Sequence, residues 1–192
     1  LTFLFLFSGS SVVFGDDFQD GLDAYQKQDY KTAHRLWLPL AEQGNAGAQT
    51  KLGFLYQHGQ GVPQDYQEAL KWYRLSAEQG LALAQFNLGW MYASGLGVPQ
   101  DDKEAVKWYR LAAEQGDAEA QFNLGVMYAL GLGVPQDNQE AGKWWKLSAE
   151  QGDAKAQYYL GLMYRKGQGV PQDYKEAVKW YRLAAEQGNI GA

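Results

Sequence analysis

Apolar residues recur at helical spacing through most of this 192-residue chain, and the pattern itself recurs every 36 residues. In the copy at residues 117–152, Ala120, Leu124 and Tyr128 lie four residues apart and therefore line one face of a helix. A second apolar set at helical spacing follows near the end of each copy. Each copy is therefore predicted to contain two amphipathic helices, the first at about Ala118–Leu130 in this copy.

The predicted helix ends are marked by the same residue types in each copy. Asp117 is the expected N-cap of the first helix, because its carboxylate can accept a bond from a free backbone N–H. Gly131 and Gly133 can both adopt positive φ, so they are expected to end that helix and form the turn. The second helix is predicted to start at Asp137, which has the spacing of a capping box with Glu140.

Two further repeated residue types are predicted to pack between helices. Gly125 lies beside the apolar face and has no side chain, so another helix can approach closely there. One tryptophan slot recurs in the second helix, and its size and regularity indicate core between adjacent units rather than a platform for bases or sugars. The tryptophans in this slot are Trp72, Trp108, Trp144 and Trp180.

A fixed period of this size is typical of an all-α solenoid of stacked helical hairpins. Terminal repeats of such arrays are atypical because one of their faces meets water. The predicted organisation is residues 1–15 as a leader, 16–44 as a degenerate capping repeat, 45–80, 81–116, 117–152 and 153–188 as full repeats, and 189–192 as a tail or the start of a further unit.

The first fifteen residues differ from the rest of the chain. Leu1–Phe7 is almost wholly apolar, and no charge appears before Asp16. This pattern predicts the remnant of a secretory signal peptide, and hence export to the periplasm or the medium. The alternative is an apolar segment that packs on the first repeat. The segment is too short to span a bilayer, so no membrane insertion is expected after signal removal.

The first helix carries the motif L-G-x-x-Y of the tetratricopeptide type, as in Leu88–Tyr92 and Leu124–Tyr128. The connecting loop reads G-x-G-V-P-Q-D. The second helix and its end, at Ala105–Gly116, match the pattern A-x-x-W-Y-x-x-A-A-E-Q-G, in which x is a variable position. From about Gly21 onwards the chain is similar to the Sel-one-like repeat family. The resemblance implies a right-handed α/α superhelix of about five helix-turn-helix repeats, with first helices lining a concave face. It also implies a protein-binding adaptor or scaffold, in bacteria often an exported one.

The composition argues against several classes of partner and site. The net charge of -5 lacks the basic stripe that a nucleic-acid partner requires, and the absence of cysteine excludes disulfides and thiolate metal sites. His34 and His58 have no partner in the sequence and are expected to be solvated. The acidic residues at the second-helix N-termini could bind Ca²⁺, but helix capping explains each of them. These residues are Asp65, Asp101, Asp137 and Asp173.

The chain is therefore predicted to have no catalytic residues, no metal site and no cofactor. One alternative is a hydrolase acting on cell-wall or β-lactam substrates, which the resemblance brings in through cysteine-rich relatives. This chain lacks cysteine, and no serine has a lysine three residues on, as a β-lactam-directed nucleophile of the S-x-x-K type needs. A second alternative is a structural stem of a larger assembly.

The informative positions are those that differ between copies, because stacking does not dictate them. Positions 3, 7, 10 and 14 of each copy form one stripe of the first helix, opposite the core face. Several carry apolar side chains beside amides and a lysine, which suits a peptide or a partner protein bound in the concave groove. Alternatively, position 10 is partly buried against the neighbouring helix. The predicted partner contacts are Lys51, Phe54, Asn87, Trp90, Asn123, Val126 and Tyr159.

Overall fold

The computed structural model describes residues 13–188, and the regular structure within them is entirely helical. Short turns join the helices into helix-turn-helix repeats of about 36 residues, the α-solenoid class predicted from the sequence. The helices are α1 (Val13–Gln26), α2 (Tyr30–Glu42), α3 (Ala46–His58), α4 (Tyr66–Glu78), α5 (Ala82–Ser94), α6 (Asp102–Glu114), α7 (Ala118–Leu130), α8 (Asn138–Glu150), α9 (Ala154–Lys166) and α10 (Tyr174–Glu186).

Two compact units divide the chain, the first ending at Ser76 and the second beginning at Ala77. The predicted tail at 189–192 and most of the predicted leader lie outside the described residues. Helix α1 begins at Val13, so the last three residues of the predicted leader are helical.

The N-terminus of each second helix in the full repeats is capped by an aspartate, as predicted. In α8, the Asp137 carboxylate accepts bonds from the backbone N–H groups of Gln139 and Glu140 at 2.8 and 3.1 Å. The other half of the expected capping box is replaced. The backbone N–H of Asp137 donates to the carbonyl of Tyr128 at 2.9 Å, and the Glu140 carboxylate instead pairs with Lys143. The Asp137 N–H, which would donate to Glu140 in a capping box, is therefore used in the bond that closes the loop.

The glycine-rich loop after α7 ends that helix and contacts α6 of the preceding repeat. Gly131 has φ 71° and ends α7, and Gly133 has φ 68°. Gly133 lies directly against the backbone carbonyl of Asp102 at the start of α6, where a Cβ would overlap it. The Gln136 side chain donates to the carbonyl of Ala129 at 2.7 Å and so satisfies the C-terminal turn of α7. The loop thus terminates one helix and also packs on the preceding repeat.

Close packing within a repeat depends on the helical glycine. A Cβ built on Gly125 would lie 2.5 Å from Cδ1 of Trp145 in α8, so the predicted close approach is confirmed. The Trp145 indole N–H donates to the carbonyl of Phe122 at 3.1 Å. In the first unit, Gly21 of α1 lies against Trp37 of α2 in the same way. The divergent first hairpin therefore reproduces the packing of a full repeat.

The recurring tryptophan slot is largely core, as predicted. Trp72, Trp108 and Trp180 are buried, whereas Trp144 is only partly buried. Lysines lie over the rings of all three buried tryptophans, with Lys107 Nζ 5.0 Å from the Trp108 ring centroid.

A ladder of buried glutamines joins successive repeats in the second unit. The side-chain amides of Gln85, Gln121 and Gln157 donate to carbonyls in the last turn of the preceding second helix, at 3.1–3.2 Å. The acceptor of Gln121 is Ala113. In turn, the Gln121 side-chain oxygen accepts a bond from Gln151 at 2.8 Å. These bonds satisfy polar groups that would otherwise be buried without partners.

Candidate partner-binding surface

Helices α5 and α7 each place an asparagine on the predicted stripe. The Nδ2 atom of Asn87 donates to the carbonyl of Leu83, and that of Asn123 to the carbonyl of Glu119, both at 2.8 Å. Each amide therefore lies along its own helix and its orientation is fixed. Within residues 13–188, neither amide oxygen accepts a hydrogen bond, which leaves an acceptor for a partner's N–H.

A small cleft opens beside Asn123, between α7 and the N-terminus of α9. Its volume is about 150 Å³, and its lining combines one ring, one amide and three charges. Lys155 Nζ lies 5.9 Å from the centroid of the Phe122 ring, so the ammonium approaches the aromatic face. Carboxylates and an ammonium together give this cleft both hydrogen-bond acceptors and a donor. The lining residues are Glu119, Phe122, Asn123, Asp153 and Lys155.

Phe122, Trp145 and Tyr159 form what we call the aromatic cluster. The Tyr159 ring centroid is 5.0 Å from that of Trp145 and 5.8 Å from that of Phe122. Tyr159 is 38% exposed although its ring lies beside those of Phe122, Trp145 and Tyr158. A second cleft, of about 230 Å³, adjoins the cluster, and the amides of Gln136 and Gln168 lie in its wall. The cluster thus presents an apolar surface with amides beside it.

The position-10 residues of the second unit are half-buried. Trp90 packs against a core cluster that includes Leu124 and Met127, and Val126 packs against another that includes Leu160. These contacts match the alternative interpretation, in which position 10 rests on neighbouring helices. Both side chains therefore stabilise the repeat, and only their outer parts face solvent.

The predicted residues of the first unit form a separate contact group. The Phe54 ring lies 4.1 Å from the imidazole of His58 and 6.1 Å, edge on, from Tyr25. Lys51 Nζ lies 5.9 Å from the Tyr25 centroid. Lys51 and Phe54 are therefore held together by Tyr25 of α1.

The expectation that both histidines are solvated is wrong for His34. Its Nε2 lies 3.2 Å from the Tyr56 hydroxyl, and the two rings meet edge to face at 5.6 Å. Burial lowers the pKa of His34 from its ordinary value, because desolvation disfavours the imidazolium. His58 is exposed, and its Nδ1 lies 2.9 Å from the Phe54 carbonyl oxygen. The polar partner of His34 is thus a hydroxyl, and that of His58 is a backbone carbonyl.

Metal clusters and membrane-spanning helices are not found among the described residues. Among the side chains that the structure describes, from residue 17 to residue 188, no group of three or more histidines, aspartates or glutamates could hold a metal ion. Within the same range, every helix is too short or too polar to cross a membrane. Several lysines pair with a glutamate one turn before them on exposed surfaces, as Lys71 does with Glu68 at 3.0 Å.

Sequence reasoning missed three residues of this surface. Phe122 lies at repeat position 6, outside the stripe of positions 3, 7, 10 and 14, and Lys155 was in the stripe but was not selected. Trp145 occupies the slot that holds tyrosine in the other full repeats, as at Tyr109. That departure from the repeat was the signal that could have identified it.

Comparison with known families follows from these repeats. The Sel1 repeat model matches residues 18–45, 46–81, 82–117, 118–153 and 154–189. The chain belongs to the Sel1 repeat family. This confirms the resemblance carried by the L-G-x-x-Y and G-x-G-V-P-Q-D motifs, and it includes the divergent first hairpin among five repeats.

Two solved Sel1 repeat structures share substantial sequence with the chain. A Sel1 repeat protein from Oxalobacter formigenes is 40% identical, with a TM-score of 0.83, over 89% of this chain and 70% of that one. The protective antigen c5321 of uropathogenic Escherichia coli is 38% identical, with a TM-score of 0.88, over 92% of this chain. This Sel1 repeat chain spans only 38% of the length of that antigen.

A third structure shows a likeness in fold alone. The cysteine-rich protein B of Helicobacter pylori is 19% identical, with a TM-score of 0.51, over 77% of this chain and 97% of that one. The chain compared here has no cysteine. Comparison with curated proteins gives no match.

Proposed function

We propose that this Sel1 repeat protein is a non-catalytic scaffold that binds a peptide or protein segment on the first helices of its second unit. The observation that carries the proposal is the aromatic cluster, in which Tyr159 stays partly exposed on Trp145 and Phe122 between two clefts. Interface residues that contribute most to binding are enriched in tyrosine and tryptophan, because a rigid ring buries much surface at little entropic cost.

The polar groups around the cluster favour a polypeptide partner. Asn87 and Asn123 hold amide oxygens in fixed positions without a hydrogen-bond partner among the described residues. A backbone N–H of a bound segment is the natural donor for such an acceptor. Clefts of about 150 and 230 Å³ accommodate single side chains, so the bound segment inserts individual residues beside Asn123 and Tyr159.

The charged residues that line the cleft beside Asn123 set the orientation of the bound segment. Glu119 and Asp153 lie on one cleft with Lys155, so a partner side chain of either sign meets an opposite charge there. Exposed pairs of this kind add little affinity but fix register and suppress wrong partners. The predicted residues of the first unit, Lys51 and Phe54, present a second apolar and cationic group for contact.

Export remains part of this proposal. It derives from the apolar pattern of residues 1–15, and it fits the description of the Escherichia coli relative as a protective antigen. The hydrolase and structural-stem alternatives stay as predictions from the sequence.

A peptide-display selection on the immobilised 192-residue chain tests the binding function. We expect enriched sequences with apolar anchors, and about tenfold or greater weakening of the selected peptides by Tyr159→Ala, as for a central interface tyrosine. Asn123→Ala is expected to weaken binding less, by the loss of one hydrogen bond. Leu147→Ala serves as the matched control, because Leu147 is exposed on α8 and lies outside both clefts.

The opposite pattern would refute the proposal. If the selected peptides bind Tyr159→Ala and Asn123→Ala as tightly as the unmodified chain, while Leu147→Ala abolishes binding, the surface lies elsewhere. Circular dichroism of each variant checks that the fold is retained.

A further inference from the structure

Helix α8 departs from the second helices of the other full repeats at a buried position. Gly142 stands where those helices carry a branched apolar residue, namely Leu70, Val106 or Val178. Val106 of α6 is 5% exposed and shares a core cluster with Met127 of α7. Gly142 is buried as well, but it brings no side chain to the contact with α9. The packing between α8 and α9 therefore lacks a side chain that is present between α6 and α7.

A cleft of about 240 Å³ lies between α8 and α9 at this position, and Leu160 and Val170 line it together with Gly142. A Cβ built on Gly142 would lie 3.0 Å from Cε of Met163 and 3.8 Å from Cγ1 of Val170. The side chain that the other repeats carry would therefore occupy part of this cleft. An apolar cavity of about 150 Å³ is large enough to hold benzene. The cleft thus has room for one ring with a short substituent.

A second substitution in α8 leaves a hydroxyl free beside the cleft. Between α6 and α7, the Arg110 guanidinium donates to the Tyr128 hydroxyl at 2.6 Å. The counterparts of these two residues are Lys146 and Tyr164, and both line the cleft. Lys146 Nζ lies 3.8 Å from a carboxylate oxygen of Glu150, and among residues 13–188 the Tyr164 hydroxyl has no hydrogen-bond partner. This hydroxyl can therefore donate to a ligand.

The charged residues that line the cleft are both lysines. Lys143 pairs with Glu140 and Lys146 with Glu150, and neither glutamate lines the cleft. These ion pairs are exposed and contribute little, and an ammonium with three N–H donors can bond to a second acceptor. The cleft thus combines two cations and the Tyr164 hydroxyl with an apolar wall. Such a combination suits a ligand that carries a carboxylate on an apolar ring.

We propose that the cleft between α8 and α9 binds a small aromatic carboxylate. The ring takes the place of the missing side chain, against Gly142, Leu160 and Val170. The carboxylate accepts hydrogen bonds from the Tyr164 hydroxyl and the Lys146 ammonium. A free aryl acid and the C-terminal phenylalanine of a peptide both carry this group. The lining residues are different from those of the two clefts beside the aromatic cluster, so this is a second site.

Titration of 4-fluorophenylacetate into the 192-residue chain, followed by fluorine NMR, tests the site. We expect saturable binding with one ligand per chain. The neutral 4-fluorophenylacetamide should bind about tenfold or more weakly, because hydrogen bonds to a charged acceptor are stronger than those to a neutral one. Acetate, which lacks the ring, should not displace the ligand at equal concentration.

Two substitutions change the cleft itself. Gly142→Val introduces the residue found in α6 and α10, and it should weaken binding by about tenfold or more because it fills the cleft. The same change should keep or raise the midpoint of thermal unfolding, since glycine is unfavourable inside a helix and the end of Met163 can move. Tyr164→Phe should weaken binding by about tenfold, because it removes a hydroxyl bonded to a charged group.

Tyr128→Phe is the matched control, because it removes the corresponding hydroxyl one repeat earlier, outside the cleft. Tyr128→Phe and Tyr159→Ala should both leave the affinity within about twofold of the unmodified chain. Retained binding by Tyr159→Ala separates this site from the proposed peptide-binding surface, so either proposal can fail without the other.

Three results would overturn the proposal: no saturable binding in the millimolar range, equal affinity for the acid and the amide, or equal weakening by Tyr164→Phe and Tyr128→Phe. Competition with the tripeptide Gly-Gly-Phe distinguishes the two sources of the carboxylate. Stronger displacement by the tripeptide than by unlabelled phenylacetate assigns the site to a peptide C-terminus, and the reverse order assigns it to a free acid.

Discussion

Replacing Gly133 by alanine separates the two reasons for a glycine in the repeat loop. Gly133 has φ 68°, and a Cβ there would overlap the carbonyl of Asp102 in the preceding repeat. Gly152, after α8, has φ 98° but nothing within 4 Å of a built Cβ. Both substitutions strain the backbone, but only Gly133→Ala also pushes the loop away from α6.

The two costs differ in size. An alanine held at positive φ costs about 1–2 kcal/mol, which is the whole expected loss for Gly152→Ala. Overpacking adds about 1–3 kcal/mol, so Gly133→Ala should lose about 2–5 kcal/mol of the free energy of unfolding. The overlap involves backbone on both sides, which cannot rotate away as a side chain does.

Urea unfolding followed by far-UV circular dichroism measures this difference in the full chain. Since repeat arrays can unfold in parts, amide hydrogen exchange should show whether protection is lost first in α6 and α7. Equal destabilisation by the two substitutions would refute the reasoning, because the loop would then need glycine for its conformation alone and not for contact with α6.

Two other substitutions test buried polar groups. Gln121→Leu should lower the free energy of unfolding by about 1–3 kcal/mol, because it leaves the Ala113 carbonyl and the Gln151 amide without this partner. The control is Gln139→Leu on the exposed side of α8, which should change that free energy by less than about 0.5 kcal/mol in the same urea experiment. His34→Leu should flatten the dependence of stability on pH: the pKa of His34 is lowered in the folded chain, so its contribution is complete above the ordinary value of 6.5 and is lost as the pH falls below it. Thermal unfolding between pH 7.5 and pH 5 checks this, and an unchanged slope in His34→Leu would contradict it.

Helix boundaries were predictable because their causes are local. Asp117 caps α7 through a bond to the N–H three residues on, and Gly131 ends the same helix at positive φ. The predicted range Ala118–Leu130 is therefore the observed one. The capping box failed for a non-local reason, since the N–H of Asp137 is taken by the Tyr128 carbonyl across the loop.

The candidate surface was harder to predict from the repeat alone. Comparing copies identifies which positions vary, but it does not show which side chains of α7 and α8 are in contact with α9. Phe122 and Trp145 belong to the aromatic cluster only because Tyr159 approaches both of them. The hydrogen bond of His34 was not predicted for a similar reason, because its partner Tyr56 lies 22 residues away in the sequence. Binding by the predicted contacts stays a prediction until a partner is measured.

The glutamine ladder has a consequence for how such a protein changes length in evolution. Gln121 satisfies a carbonyl of the preceding repeat, and its own oxygen is satisfied by Gln151 of the same repeat. Every copied module therefore brings the donor that its predecessor requires and the donor that its own glutamine requires. Duplication or loss of a whole 36-residue module leaves no buried polar group newly stranded, whereas a partial insertion does. Gain or loss of whole 36-residue units therefore preserves these glutamine hydrogen bonds.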